Sequence, residues 1–342
     1  MKAIRIHRHG GPEVLQIDDI PESTPKENEV KVRTKATSLN HMDLWVRKGI
    51  PGIGNLPLVL GCDLSGTVES VGKAVTRFKA GDRVVLFPLL SCGECKACKK
   101  GDVNLCRDFK IPGEHVDGTH REFVTAPESQ LIKLDDRIDF ATAAAFPLVY
   151  MTAWHMVVAN GKIEKDMDVL VMAAGSGVGS AAVEIAKHFG ARIITTASGV
   201  DKLAHAKKIG ADHVIDHYAE KISERVKEIT NKKGVELVIE HVGEKVFGEC
   251  LKSLSWGGRL VTCGATSGPK ISIDLRHIFI KQQQIIGSTM GRFDEFEKIH
   301  TLVANGELKP QIAKKFRFDD IKAAHEYLET SKNFGKVILE WS

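Results

Sequence analysis

The stretch DVLVMAAGSGVGSAAVEIAKHFG, residues 168–190, constrains this chain more than any other. An apolar run of strand length meets a turn carrying Gly175, Ser176, Gly177, Val178 and Gly179, and a helix-patterned segment follows at once. In that order the backbone N–H groups of the turn and the positive end of the helix dipole face one point, which suits a pyrophosphate. The rhythm then repeats. ARIITT precedes DKLAHAKKIG, HVID precedes EKISERVKEITNKKG, and VELVIE precedes a further helix and GRLVTCG. Strands alternating with helices of ten or more residues predict βαβ units in a doubly wound parallel sheet, an α/β fold.

Residues 1–148 read differently. Short alternating strands (KAIRI, EVKVRT, GTVESV, DRVVLF) lie between Gly and Pro turns, the pattern of a β-rich domain and not of a parallel sheet. After Phe293 come two helices, EFEKIHTLVANG and DIKAAHEYLETS, and a last strand, GKVILEW. With 342 residues, and about 100–200 residues per domain as the usual scale, two domains are expected. The longest run free of Asp, Glu, Lys and Arg, Phe140 to Gly161, contains Pro147, His155 and Asn160, so it reads as a domain junction feeding a buried helix. The basic segment Met1–Gly10 lacks the apolar core of a signal peptide. A cytoplasmic protein with no membrane partner is expected. Net charge is only +4, from 48 basic and 44 acidic residues, too little and too dispersed to imply a nucleic-acid partner.

Four of the seven cysteines crowd one segment, SCGECKACKKGDVNLC, at Cys92, Cys95, Cys98 and Cys106. Four thiolates so close suit one tetrahedral zinc at about 2.3 Å per bond, leaving no open coordination position. Such a metal holds a lobe together and does no chemistry. Gly93 and Gly101 let the loop turn tightly, while Lys96, Lys99 and Lys100 offset the negative charge. Cys250 and Cys263 read as small buried hydrophobes, whereas Cys62 sits between Gly61 and Asp63.

Cofactor choice rests on the end of the second strand. A carboxylate about twenty residues beyond the glycine turn would accept bonds from a ribose 2′-hydroxyl and select NAD. Here that position reads Thr195-Thr196-Ala197-Ser198-Gly199, with Lys202 close behind. A hydroxyl and a cation in place of an acid favour the 2′-phosphate of NADP(H).

A β-rich domain with a four-cysteine lobe, a nucleotide domain and a return to the first resembles the medium-chain dehydrogenase/reductase superfamily over essentially the whole chain. Further resemblances are GTVESVGKAVTRFKAGDRV and the terminal GKVILE. The likeness implies a GroES-like catalytic domain at 1–149, a Rossmann domain at 150–291 and a return to the catalytic domain at 292–342. It also implies a homo-oligomer, dimer or tetramer. Zinc alcohol dehydrogenases of this superfamily place a Cys, a His-Glu pair and a further Cys or acid around an open zinc. Those positions fall here on Asn40, Cys62-Asp63 and Leu148, and the proton-relaying hydroxyl falls on Met42. Asn40 with Asp43 and Arg47, together with MAAGSGVGSAAVEIAK and PLVYMTAW, instead resembles the zinc-free quinone oxidoreductase branch, although Ser176 replaces its usual glycine. By the same likeness Ser198, Lys202 and His217 grip the 2′-phosphate, Gly264 lines the cofactor, and His41 touches the pyrophosphate.

These readings predict an NADP(H)-dependent oxidoreductase moving hydride to or from a small carbonyl, enone, quinone or alcohol, with one structural zinc per chain. Asn40, Cys62, Asp63 and His115 are the candidate cleft residues, and the proton donor is left open among water, Asp63, Cys62 and His115. His115 is also the residue that would complete a rearranged metal site with Cys62 and Asp63. The rivals are a zinc-type alcohol dehydrogenase with an unusual ligand set and an idle nucleotide-binding protein.

Overall fold

The strand EVKVRTKATSL (Glu29–Leu39) alternates buried and half-buried residues and then turns fully buried, which marks it as the spine of a sheet. It pairs antiparallel with Asp63–Val71, Phe123–Pro127 and Lys336–Glu340 in a seven-stranded sheet. Val30, Val32, Leu64, Val68, Val84, Leu86, Val124 and Leu131 form one core against it. Each such aliphatic side chain contributes about 1.5–3 kcal/mol on burial. The strand Ile312–Arg317, unexpected from its run of cations, pairs parallel with Lys336–Glu340 at the sheet's edge. Charged side chains on an edge strand discourage further pairing, so the composition that hid the strand also suits its place.

The computed structural model describes residues 1–341. The chain divides into two compact units. One comprises Met1–Leu148, Arg292–Gly306 and the chain from Pro310, and the other comprises Val149–Gly291 with Glu307–Lys309.

The second unit is built on six parallel strands: Asp168–Val171, Arg192–Ala197, His213–Asp216, Val235–Glu240, Leu254–Thr262 and Gln284–Gly287. Numbered along the chain they lie in the order 3-2-1-4-5-6, the doubly wound arrangement whose direction reverses between strands 1 and 4. Leu170, Ile194, Ile215, Val226, Val238, Leu251 and Leu260 pack its core. The short sixth strand was not foreseen. The run from Phe140 to Gly161 forms helices Phe140–Ala145 and Pro147–Trp154 and a wide helical turn, His155–Asn160. Among the described residues no helix is long and apolar enough to cross a membrane.

Candidate active site

The register of the parallel sheet aligns the carboxyl ends of its strands: Val171 lies opposite Thr195 and Ile239, and Ala197 opposite Asp216. The loops that leave these ends therefore share one rim. The first carries the glycine turn, where Ser176 caps helix Gly177–His188 by accepting the Gly179 N–H at 2.9 Å. A Cβ on Gly179 would come within 2.2 Å of the Ala173 carbonyl, so only glycine lets the helix start this close to the strand. Across the crevice His241, directly after the fourth strand, brings Nε2 to 3.0 Å from Ser176 Oγ. Gly264 faces it; a Cβ there would lie 3.1 Å from the His241 carbonyl. At the second strand's end, Ser198 and positive-φ Gly199 lead into the helix bearing Lys202, whose ammonium burial has shifted toward neutrality. Burial likewise lowers His217, and its Nδ1 has no partner among the described residues. Asp216, the adjoining carboxylate, accepts the Tyr218 N–H at 3.0 Å and so serves its own turn. The rim thus fits a dinucleotide, with N–H donors for a diphosphate and polar or cationic groups for a ribose phosphate.

The four cysteines converge in the first unit, with Sγ atoms all within 4.8 Å of one another. Cys92–Cys98 measures 3.8 Å, Cys95–Cys98 3.5 Å and Cys92–Cys106 3.6 Å. A tetrahedron with Zn–S bonds of about 2.3 Å has edges of about 3.8 Å, so the thiols fit the ion. The backbone N–H groups of Cys95 and Cys98 already point at Cys92 and Cys95 sulfurs, at 3.4 and 3.5 Å. Such donors favour thiolate charge.

A second polar cluster lies at the end of the spine strand. Asn40 starts helix His41–Lys48, and Asp43 at the third position accepts the N–H groups of Asn40 (2.7 Å) and Gly61 (3.0 Å). Asp43 ties the helix to the LGCD turn and is pushed up to about 6 by burial. With its cap supplied this way, the Asn40 amide is available elsewhere. Its Nδ2 donates to Asp63 Oδ2 at 2.8 Å and approaches Cys62 Sγ at 3.4 Å, while its Oδ1 accepts from Lys336 Nζ. Asp63 also accepts Ser38 Oγ at 2.6 Å on Oδ2 and the Leu148 N–H at 2.8 Å on Oδ1. Lys336 Nζ completes the cluster, donating to the Leu39 carbonyl at 2.9 Å and to Asp63 Oδ2 at 3.2 Å. All three ammonium hydrogens have acceptors, and Lys336 and Asp63 are only 4% and 0% exposed. Cys62 is fully buried, and that burial pushes its thiol well above the usual range, toward an inert neutral form.

Residues 177–305 match the family described as zinc-binding dehydrogenase, and residues 26–136 match the alcohol dehydrogenase GroES-like domain. A quinone oxidoreductase of Salmonella typhimurium is 31% identical over 98% of both chains. The chain belongs to the medium-chain dehydrogenase/reductase superfamily. An NAD-dependent alcohol dehydrogenase of Sulfurisphaera tokodaii is 29% identical over 99% of each chain. A crystal structure of an NAD-dependent alcohol dehydrogenase superposes with TM-score 0.97 at 43% identity over the full length of both chains. With relatives of these kinds, this member of the superfamily is a nicotinamide-dependent oxidoreductase.

The residues that the likeness to zinc alcohol dehydrogenases would put at catalytic-zinc ligand positions, Asn40, Cys62-Asp63 and Leu148, do gather, and they gather around Lys336. As donors they fit a metal poorly. One is a neutral amide bound to an ammonium, one a buried neutral thiol, one a carboxylate already holding four hydrogen bonds, and one a leucine that offers only its N–H. His115 does not join them. It is half-buried, its Nδ1 accepts the Ile111 N–H at 3.2 Å, its ring stands edge-on to Phe109, and Nε2 lies 3.9 Å from Glu114. Among the described residues the four cysteines form the sole group able to hold a metal, so the rearranged Cys62–Asp63–His115 site is not assembled. His41 is half-buried beside Trp45 and lowered by burial and by the charges of Lys336 and Lys48. Sequence reading missed Lys336, His241 and His120. His120 is fully buried, lowered to about 3 by burial, and packs close against Gly61, where a Cβ would lie 2.2 Å from its Nδ1. Arg47, also fully buried, ties Glu329 (2.6 Å), His325 (3.2 Å) and the Gly10 carbonyl (3.2 Å) and so acts as a brace.

Proposed function

We propose that this protein is an NADP(H)-dependent reductase of activated small molecules, carbonyls, enones or quinones, working without a catalytic metal. The observation that carries the reading is the saturated Lys336–Asp63–Asn40 cluster at the superfamily's metal-ligand positions. An ammonium there is a fixed cation that cannot take an alkoxide as a ligand. Lowering the pKa of a simple alcohol needs an open Lewis-acid position, so substrates whose own conjugation accepts hydride are the easier chemistry. The nicotinamide, when bound, supplies the hydride. Asp63 already accepts four hydrogen bonds and Cys62 is inaccessible, so neither is the source of the accompanying proton. The curated relative named a quinone oxidoreductase favours this substrate class. The structural relative named an NAD-dependent alcohol dehydrogenase favours the second reading, alcohol oxidation with NAD.

NADP(H) preference is supported by Ser198 and Lys202 just after the second strand and His217 just after the third, with no carboxylate among residues 195–199. The four-cysteine lobe supports one structural zinc. The unpaired edge strand Gln284–Gly287, with exposed Trp256, Leu275, Phe279, Ile280 and Ile285 on its unit, supports self-association of two copies through that edge. The test of the function is a pair of assays on one preparation: NADPH oxidation with a quinone or enone, and alcohol-dependent NAD reduction. The first is expected to proceed and to survive a chelator that leaves the lobe's zinc in place. Alcohol oxidation that disappears with the chelator would overturn the proposal.

A further inference from the structure

We infer that Ser176 and His241 form a relay that adds a side-chain hydrogen bond to the diphosphate of the bound dinucleotide. The inference rests on the dinucleotide reading above and names residues that reading does not require. Ser176 follows the first strand and His241 the fourth, the two parallel neighbours at which the strand order reverses and outside whose carboxyl ends a ligand binds. A glycine at the position of Ser176 would offer a phosphate only backbone N–H groups. Ser176 adds a hydroxyl, with two lone pairs and one hydrogen.

One lone pair is occupied, because Ser176 Oγ accepts the Gly179 N–H at 2.9 Å. The same oxygen lies 3.0 Å from His241 Nε2. Two arrangements satisfy that contact: the hydroxyl donates to a bare Nε2, or an Nε2–H donates to the second lone pair. A diphosphate consists of acceptors and selects the second. With both lone pairs filled, the hydroxyl hydrogen has no partner inside the pair and points out from the helix N-terminus, alongside the N–H groups of the first turn. Donation from the imidazole polarises the hydroxyl and strengthens its outward bond. His241 is held for this task, being 8% exposed, with the Thr266 hydroxyl 3.4 Å from its carbonyl and Gly264 close against its backbone. His241 is thus a positioning residue, and Ser176 the group that touches the cofactor.

The test is direct binding, read from nicotinamide fluorescence, of NADPH and NADH to wild type, Ser176→Gly, His241→Ala and His241→Gln. Losing one such bond raises Kd roughly tenfold. That loss is expected for Ser176→Gly and His241→Ala, equally for both cofactors, since the diphosphate is common to them. His241→Gln, whose amide keeps a donor, is expected to recover most of the affinity. A role confined to capping would not respond to His241 at all, because the Ser176–Gly179 bond survives its removal. Zinc content and melting temperature of each variant certify the fold. His241→Ala binding as tightly as wild type or more tightly overturns the relay, since the hydroxyl would then have been donating to the ring. So does equal weakening of His241→Ala and His241→Gln. A wild type that binds neither cofactor overturns the dinucleotide reading and the relay with it, whereas normal wild-type binding with unaffected variants removes the relay alone.

Discussion

Replacing Lys336 by Met removes the ammonium while keeping most of the aliphatic stem. The Leu39 carbonyl and Asn40 Oδ1 each lose their Lys336 donor, and Asp63 loses the cation 3.2 Å from Oδ2. Ser38, Asn40 and the Leu148 N–H still hydrogen-bond the carboxylate, so of the contacts of Asp63 only the counter-charge is lost. Two unit charges at that separation attract by about 5 kcal/mol at an effective dielectric of roughly 20. Removing one partner of a buried pair generally costs about 3–5 kcal/mol. Lys336→Met is therefore expected to lower the stability of the first unit by that amount, and Asp63→Asn by a similar one. The double variant buries no net charge and should be more stable than the sum of the two losses by about 2 kcal/mol or more. Urea unfolding at pH 7 reports this through Trp341, whose Nε1–H donates to Thr37 Oγ1 at 3.1 Å in the same unit. That unit need not unfold together with the other, so its own transition is the one to fit. A single variant within about 1 kcal/mol of wild type, or strict additivity in the double, would refute the cluster as a coupled charge pair.

Three further outcomes are expected. NADPH should bind at least roughly tenfold more tightly than NADH, through charge-assisted bonds from Lys202 and Ser198, and Lys202→Ala should weaken NADPH selectively; equal or tighter NADH binding in a titration refutes the argument from the missing acid. Elemental analysis should find one zinc per chain, lost or loosely held in Cys95→Ser, with the lobe unfolding because such a metal is worth of order 10 kcal/mol to it; no zinc, or a second one beside Cys62, contradicts this. Acid should destabilise the first unit through His120, which is lowered to about 3 in the fold while the unfolded chain binds its proton near 6.5. This group's contribution is intact above pH 6.5 and is lost as pH falls toward 3. Between pH 7 and pH 5 the loss is about 2 kcal/mol. His120→Gln should shrink the gap between unfolding free energies at those two pH values by that much, and superimposable profiles would count against it.

The parts of the fold that could be read from sequence are those whose cause is local. A strand, a glycine turn and a helix announce themselves within 23 consecutive residues, 168–190, because period, turn chemistry and helix start all act on neighbours. The four cysteines are equally local, spanning positions 92–106. The edge strands Ile312–Arg317 and Gln284–Gly287 escaped because edge strands are short or charged and lack the alternation that burial on one face imposes. His115 misled for the opposite reason. Its residue type suits a metal, but its ring is engaged by Ile111 and Phe109, and no pattern in the sequence carries that.

Lys336 shows where a sharper reading was available and where it would still have stopped. A lysine opening the apolar run Val337-Ile338-Leu339 cannot keep its head in water if the strand is buried, and a buried ammonium requires acceptors. That much is a physical deduction from six letters, GKVILE. The partner is not deducible, since Asp63 lies 273 positions away and meets Lys336 only because the spine strand pairs with both of their strands. Leu39 lies opposite Val337 and Ser38 opposite Asp63, so one strand end sets the lysine, the amide and the carboxylate side by side. The same logic explains the Ser176–His241 contact, fixed by strands 1 and 4 being neighbours, a fact of topology and not of spacing. Residues that do chemistry through a partner therefore surface only when the sheet order is known. The sheet order also tells which substitutions should couple, Lys336 with Asp63 and Ser176 with His241, although neither pair shares a sequence motif.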